Sequence, residues 1–150
     1  MPPATFAFRS PMGGKRTEMN GLELDHIGIA VSDLESQIRL HERLSGAQGS
    51  RVETLEAQGV RAAFVGFVEL LEPLGPETSV GRFLARRGPG MHHFAYRTVD
   101  LDAELQRLVA LGFEPVDPEP RTGARGHRVA FLQPRDTGKA LVELVEVTRP

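Results

Sequence analysis

The chain has 150 residues, enough to bury one core as a single domain or as two small halves that share a core. Its formal net charge is −2 and its charged residues are mixed in sign, which argues against nucleic acid or an anionic membrane as the main partner. The absence of cysteine excludes a disulfide framework and thiolate chemistry, and no apolar run approaches a membrane span, so we expect a soluble globular protein.

Residues 1–21 are predicted to form a poorly ordered extension, because they mix Pro, Gly and basic residues without an amphipathic period. The segment has no acidic residue before Glu18, as in an organellar transit peptide. An over-extended start codon, with Met12 or Met19 as the true start, is the simpler explanation and the one we favour. We therefore expect a bacterial-type cytoplasmic protein, or a protein of an organellar matrix if the extension is a transit peptide.

The first predicted module, residues 22–73, begins with a strand over residues 23–31, where apolar side chains alternate with others. Ser32 or Asp33 then caps a helix over residues 34–44. Three further strands are predicted near residues 50–55, 60–65 and 67–72. The unit is therefore a strand, a helix and three strands.

A linker over residues 74–90 separates this module from a second one over residues 91–148. Within the linker, Thr78 or Ser79 is suited to cap a short helix before the Gly-Pro-Gly sequence that ends it. The second module repeats the first, with a strand at 92–99, a helix at 101–111, and strands near 113–116, 127–132 and 140–147.

The two modules are copies of one another. His26 and His93 lie 67 positions apart, and the residues around them keep that offset. The offset grows to 74 between Glu69 and Glu143, which predicts a hairpin seven residues longer in the second copy. We therefore predict an α+β fold in which two tandem βαβββ modules form a curved mixed sheet around one cleft.

Each copy supplies one histidine and one glutamate with metal-binding potential. His26 and His93 open equivalent strands, and Glu69 and Glu143 close equivalent strands. Alternation gives each glutamate an inward orientation, where a carboxylate is costly unless it is paired or bound to a metal. Taken singly, such residues are usually core or surface residues. Two histidines and two glutamates at duplicated positions favour a site for Co²⁺, Ni²⁺, Mn²⁺ or Zn²⁺ with coordination positions left for substrate.

Four neighbouring polar residues are interpreted differently. Period-two alternation places Asp25 and His92 on the opposite face of the sheet from the histidines that they precede, so we expect structural roles for them. Glu72 and Glu146 are out of phase with the proposed glutamate ligands, and we expect both carboxylates to be solvated.

In these features the chain resembles the vicinal oxygen chelate, or glyoxalase-like, superfamily, and within it the methylmalonyl-CoA epimerase family. The likeness extends from about residue 22 to the end of the chain. The segments that carry it are Asp25–Val31, Gln58–Val60, Glu69–Pro73, Arg87–Ala95 and Thr137–Leu144.

The resemblance implies one divalent metal ion, most often Co²⁺, bound at the positions of His26, His93 and Glu143. Glu69 would be the fourth ligand, where some members have Gln. It also implies a homodimer that interconverts (2R)- and (2S)-methylmalonyl-CoA by removing the C2 proton to form an enediolate. Glu143 and Glu69 would act as base and conjugate acid on the two faces of the substrate, with Glu143 the stronger candidate because it matches the family's acid/base carboxylate.

Four residues are candidate substrate contacts. Arg125 and Gly126 offer a cation and a backbone N–H near the cleft, suited to an acyl carboxylate or the CoA phosphates. Lys139 offers a second cation, and Gln58 matches a family motif near the site. The chain departs from some epimerases at Ala62, where those proteins carry a carboxylate, so no second base is expected at this position.

Two other functions remain open at this point. A lactoylglutathione lyase of the glyoxalase I type shares the fold, the metal ligands and a proton-transfer step, but the His92-His93 pair and the turn at 134–138 favour the epimerase. A non-catalytic ligand-sequestering protein of the bleomycin-resistance type has the fold and uses a cavity without a metal. The complete set of two histidines and two glutamates argues against that function.

Overall fold

Eight strands and three α-helices occur in residues 21–148, the part of the chain that this computed structural model describes. The strands are β1 (Glu23–Ala30), β2 (Glu53–Leu55), β3 (Val60–Val65), β4 (Val68–Pro73), β5 (Gly90–Thr98), β6 (Arg121–Thr122), β7 (Arg128–Leu132) and β8 (Val142–Glu146). The helices are α1 (Leu34–Ser45), α2 (Ser79–Arg87) and α3 (Leu101–Ala110). Apart from Gly21, the predicted extension lies outside the described residues. None of the described helices is long and apolar enough to cross a membrane.

All eight strands belong to one mixed sheet with the order β2-β3-β4-β1-β5-β8-β7-β6. Each module forms one half of the sheet, and β1 pairs with β4 as β5 pairs with β8, in both cases in parallel. The halves join through the antiparallel pair β1–β5, which places equivalent strands on either side of a pseudo-twofold axis. The predicted α+β fold of two tandem modules is confirmed.

The helices begin and end where the sequence provides capping groups. The Asp33 carboxylate accepts a hydrogen bond from the backbone N–H of Ser36 at the start of α1, and Asp100 accepts one from Ala103 at the start of α3. Gly46, at a φ of 76°, adopts the left-handed conformation that ends α1. These local signals fix the entry and exit of each helix relative to its strand.

Glu72 and Glu146 anchor these same helices to the sheet. The Glu72 carboxylate accepts a hydrogen bond of 2.8 Å from the backbone N–H of Leu34, and Glu146 accepts one of 2.9 Å from Leu101. An arginine on the adjacent strand pairs with each carboxylate. Arg61 on β3 contacts Glu72, and Arg128 on β7 contacts Glu146. The expectation that these two glutamates are solvated is wrong, because the first backbone N–H of each helix needs an acceptor.

The two faces of the sheet carry different cores. On the outer face, Leu34 of α1 and Leu101 of α3 are fully buried against the sheet. On the other face, here called the inner face, α2 packs mainly on the first module, where Val80 lies against Val60 and Leu71, and it touches the second module where Phe83 meets His92. The inner face of the sheet is therefore asymmetric although its strands are duplicated.

The second module departs from the prediction around residues 113–116. In place of a regular strand, this segment makes an isolated bridge between Pro115 and Leu132, and the short strand of the module is β6. Prolines at 115, 118 and 120 each lack the N–H that a continuous ladder needs. The longer second hairpin is confirmed, because residues 133–141 separate β7 from β8 whereas residues 66–67 separate β3 from β4.

We expect Glu72→Ala and Glu146→Ala each to lower the free energy of unfolding by about 1–2 kcal/mol, because each leaves a helix N–H without its acceptor. Urea unfolding in a chelating buffer measures the effect without a contribution from bound metal. Glu119→Ala, at an exposed position, is the matched control. Equal stability of all three variants would contradict the anchoring role.

Candidate metal centre

Four adjacent strands at the middle of the sheet each direct one side chain into a buried cluster on the inner face. This metal-ligand cluster comprises His26 on β1, Glu69 on β4, His93 on β5 and Glu143 on β8, and each residue is at most 5 % exposed. The strand register brings them together, because Gly28 on β1 lies opposite Glu69 on one side and opposite His93 on the other. The convergence predicted from the duplication is present.

The donor atoms of the cluster lie close to one another. The Nε2 atoms of His26 and His93 are 3.2 Å apart, and the His93 Nε2 lies 2.8 Å from an oxygen of Glu143. The nearest oxygen of Glu69 lies 3.7 Å from the His26 Nε2 and 3.6 Å from the His93 Nε2. All four donor atoms fall within 4.8 Å of one another.

The cluster fits a divalent metal ion. Ligands bonded to one ion at about 2.0–2.2 Å stand roughly 3.0–3.6 Å apart in tetrahedral or octahedral arrangements. The observed donor separations fall close to that range. Two imidazoles and two carboxylates also supply the mixed nitrogen and oxygen donors that borderline divalent ions accept. The site is therefore able to hold one such ion.

Protons and a divalent ion compete for the donor atoms of the cluster. Burial and the neighbouring charge of Glu143 raise the pKa of Glu69 to about 7. Burial also opposes ionisation of Glu143, but hydrogen bonds from His26 and His93 hold its pKa below the ordinary value. Burial disfavours the charged form of His26, yet hydrogen bonds to Asp25 and Glu143 outweigh it and raise the pKa of His26 to about 9. A bound cation would take over the role of these protons.

Asp25 and His92 lie on the same side as the ligands that they precede. One carboxylate oxygen of Asp25 is 2.7 Å from the Nδ1 of His26, and the Nδ1 of His92 is 3.0 Å from the Nδ1 of His93. Burial, with the charge of His93, lowers the pKa of His92 to about 4, so its ring is neutral. The expected orientation toward the opposite face is wrong, because the strand pairing is irregular at both positions.

A cavity of about 500 Å³ opens beside the cluster. The cavity is bordered by His92 and His93, by Phe131 on β7, by the 3₁₀ turn at 56–58 and the start of α2, and by residues 116–117. Two arginines, Arg82 and Arg121, also border it. On the other side of the cluster, a gap of about 10 Å³ leaves little room for a ligand. Of the four cluster residues, His93 lines the larger cavity, whereas His26, Glu69 and Glu143 line the small gap.

The four predicted substrate contacts are distributed unequally around the cluster. Gln58 borders the larger cavity. Arg125 borders the small gap, with its guanidinium carbon 3.7 Å from the centre of the Phe64 ring. Gly126 and Lys139 line neither of these two cavities in the described part of the chain. Substrate contact by these four residues stays a prediction.

Gly28 is a requirement of the site that the sequence analysis missed. A Cβ built on Gly28 would lie 2.1 Å from the Cε1 and 2.3 Å from the Nδ1 of His93. The histidine ring therefore lies directly across the β1 backbone, where only glycine leaves space. The signal in the sequence was a glycine inside a strand, which indicates a close approach by another group.

Comparisons with known proteins find a matching family model and similar proteins. The family model described as Glyoxalase/Bleomycin resistance protein/Dioxygenase superfamily matches residues 25–131. The chain is 36 % identical over 126 residues to the mitochondrial methylmalonyl-CoA epimerase of Homo sapiens, covering 81 % of this chain and 72 % of the human protein.

Solved structures agree with the sequence matches. The crystal structure of methylmalonyl-CoA epimerase from Mycobacterium tuberculosis superposes with a TM-score of 0.80 at 36 % identity, covering 85 % of this chain and 88 % of that one. A methylmalonyl-CoA epimerase in complex with methylmalonyl-CoA and NH4+ superposes with a TM-score of 0.80 at 35 % identity, covering 86 % of this chain and 99 % of that one.

Gly28→Ala is expected to weaken binding of a divalent ion at least about 10-fold, because the added Cβ displaces the ring of a ligand. Titration of the metal-free protein with Co²⁺ against a competing chelator measures the affinity. Gly90→Ala is the matched control, since its Cβ would meet nothing within 4 Å. Equal affinities for the two variants would show that the position of His93 does not govern binding.

The affinity for metal should rise with pH between about pH 6 and about pH 9. The raised pKa values mean that His26, near 9, and Glu69, near 7, carry protons that an ion must displace. Binding near pH 7 should release roughly one to two protons per ion, and the loss of affinity should appear as pH falls. Calorimetry in two buffers of different ionisation enthalpy counts the protons, and binding that is insensitive to pH would contradict the expectation.

Proposed function

We propose that this chain, which belongs to the glyoxalase/bleomycin resistance protein/dioxygenase superfamily, is a metal-dependent epimerase that interconverts (2R)- and (2S)-methylmalonyl-CoA. The observation that carries the proposal is a complete, buried set of two histidines and two glutamates, in a chain similar over most of its length to proteins named methylmalonyl-CoA epimerase. A solved structure of one such protein holds methylmalonyl-CoA, which supports the same substrate here.

His26, Glu69, His93 and Glu143 would hold the metal ion, for which Co²⁺ is our proposal over Ni²⁺, Mn²⁺ and Zn²⁺. When bound, such an ion supplies Lewis acidity to the oxygens of the substrate, which favours loss of the C2 proton. The pair of histidines supplies neutral nitrogen donors, and the two glutamates balance the charge of the ion. All four side chains are buried, so water is largely excluded from the ligand positions.

Glu69 and Glu143 are the proposed proton-transfer residues. The C2 hydrogen lies between a thioester and a carboxylate, and inversion requires that a proton leave one face of C2 and return on the other. The strand order β4-β1-β5-β8 places the two glutamates on opposite flanks of the two histidines. One carboxylate is therefore suited to accept the proton while the other donates one.

The two carboxylates differ in their surroundings. The His93 Nε2 lies 2.8 Å from Glu143 but 3.6 Å from Glu69, and the pKa of Glu69 is raised to about 7 while that of Glu143 is lowered. A bound ion would displace the proton of Glu69, so the unequal distances to His93, and not the pKa values of the metal-free cluster, support two roles for the two carboxylates.

The larger cavity is the proposed position of the acyl group and the adjoining part of CoA. Its volume of about 500 Å³ and its apolar Phe131 wall suit an acyl chain, and Gln58, which borders the cavity, is the proposed hydrogen-bond partner. Arg125, Gly126 and Lys139 remain proposed contacts for the more distant charges of the substrate. A homodimer and a cytoplasmic location also remain part of the proposal. Exposure of Phe67 in the β3–β4 turn and of Met91 on β5 supports the dimer.

The test is exchange of the C2 hydrogen of methylmalonyl-CoA in D2O. Protein loaded with Co²⁺ should introduce deuterium at C2, which mass spectrometry detects. The same protein in EDTA should introduce none. Glu143→Gln should slow exchange by about 100-fold or more, since it removes an acid/base group. Glu119→Gln is the matched control for a lost surface charge.

Two outcomes would overturn the proposal. Absence of exchange with metal bound would point to the glutathione hemithioacetal of methylglyoxal as the next substrate to assay. Failure of the purified chain to bind any divalent ion would favour the sequestering protein. Equal loss of metal binding and of exchange in Glu143→Gln would assign that residue to coordination alone.

A further inference from the structure

Each histidine of the metal-ligand cluster directly follows an extra residue in its strand. In the β1–β5 pairing, Leu24 lies opposite Tyr96 but His26 lies opposite Ala95, so Asp25 has no partner on β5. Such an insertion of one residue into an antiparallel pair is a β-bulge, and it redirects the side chain of the residue concerned.

The partner strand carries the same irregularity. Gly28 lies opposite His93 but Ile29 lies opposite Met91, so His92 has no partner on β1. Asp25 and His92 are separated by the 67-residue offset of the duplication. Both copies of the module therefore contain the bulge at the same place, although the residue at the bulge has changed from a carboxylate to an imidazole.

In the first module, the bulge directs a charged acceptor at the ligand. An Asp25 oxygen lies 2.7 Å from the Nδ1 of His26, and the other lies 3.0 Å from a guanidinium nitrogen of Arg97. The side chain of Asp25 is only 10 % exposed. Because the Nε2 of His26 faces the cluster, the proton of its neutral ring belongs on Nδ1, where Asp25 accepts it.

In the second module, the bulge directs a neutral acceptor at the ligand. The Nδ1 of His92 lies 3.0 Å from the Nδ1 of His93, whose Nε2 faces the cluster. The proton of His93 is then donated from its Nδ1 to His92. The ring of His92 is itself held edge-on against Phe83 of α2, at a centroid distance of 5.1 Å.

We propose that Asp25 and His92 are positioning residues, each placed by a duplicated β-bulge to hold the adjacent ligand histidine with its Nδ1 protonated and its Nε2 free for a divalent ion. The proposal rests on the metal site of the proposed function but not on the identity of the substrate. Hydrogen bonds to a charged acceptor are stronger than those to a neutral one, so Asp25 holds its histidine more firmly than His92 does.

The test compares variants that remove the acceptor with variants that retain one. Asp25→Ala should weaken binding of Co²⁺ by about 10–100-fold, and Asp25→Asn, whose amide oxygen still accepts, should recover most of the loss. His92→Phe keeps the ring volume without an acceptor and should weaken binding by a smaller factor, which His92→Asn should partly restore. Affinities are measured by competition with a chelator, after circular dichroism has shown that each variant folds.

A second readout separates positioning from simple stability. NMR of the Zn²⁺-loaded protein detects the Nδ1 protons of His26 and His93, whose chemical shift and exchange with water depend on the hydrogen bond that each donates. Asp25→Ala should shift the Nδ1 proton of His26 and speed its exchange while leaving His93 unchanged, and His92→Phe should do the reverse. Arg97→Gln is the matched control, because it breaks the ion pair with Asp25 and leaves the Asp25–His26 hydrogen bond in place.

Several outcomes would overturn the proposal. Unchanged affinity and unchanged signals of the Nδ1 protons in Asp25→Ala and His92→Phe would do so, as would an Asp25→Asn variant as weak as Asp25→Ala. If the parent chain binds metal but does not exchange the C2 hydrogen, the proposed function fails and the positioning roles stand. If the parent chain exchanges the hydrogen and the variants bind metal normally, the positioning roles fail alone.

Discussion

Two buried carboxylates, Glu69 and Glu143, lie close together on one face of the sheet. The rest of the structure has to offset their repulsion. Two like charges in an apolar surrounding are unfavourable, and the raised pKa of Glu69 records the conflict. His26 and His93 resolve it, since they lie between the carboxylates and neutralise them through protons or through a shared cation. All four strands that carry these residues must therefore be in the correct register at once.

The cluster is nearly symmetric but its surroundings are not. The duplication supplies one imidazole and one carboxylate from each side of the β1–β5 junction. In contrast, α2 packs mainly against the inner face of the first module, and residues 133–141 lengthen the hairpin of the second module. Symmetric donors suit a reaction that must treat both faces of a carbon alike, whereas asymmetric walls suit a substrate with two different ends. The fold provides symmetric donors and asymmetric walls because its central strands follow the symmetry and the elements around them do not.

Much of this architecture could be predicted from the sequence, because the duplication reveals equivalent residues without knowledge of their contacts. The offset between His26 and His93 identified the two histidines of the cluster, and alternation gave the strand faces. The orientations of Asp25 and His92 could not be obtained in this way. Alternation assumes that the two strands pair without interruption. A bulge depends on how two strands pair, so the sequence of one strand alone does not reveal it.

Three other features escaped prediction for related reasons. The role of Glu72 at the start of α1 depends on a contact between residues 38 positions apart, which no local pattern encodes. The strand expected near residues 113–116 had the right apolar residues, but Pro115 and its neighbouring prolines remove the donors of a ladder. Gly28 was visible as a glycine in a strand, yet only the position of the His93 ring explains it.

The glutamates of β4 and β8 also help to set the register in which these strands pair. Glu69 faces the cluster and Glu72, three residues later, faces the helix layer, and β8 repeats this spacing with Glu143 and Glu146. A slip of one residue in either strand would turn both of its carboxylates to the wrong layer together. The mispaired strand would bury one acid without a partner and leave one helix without its acceptor. Two strands of only six and five residues thus distinguish their native pairing from its nearest alternatives by two separate penalties.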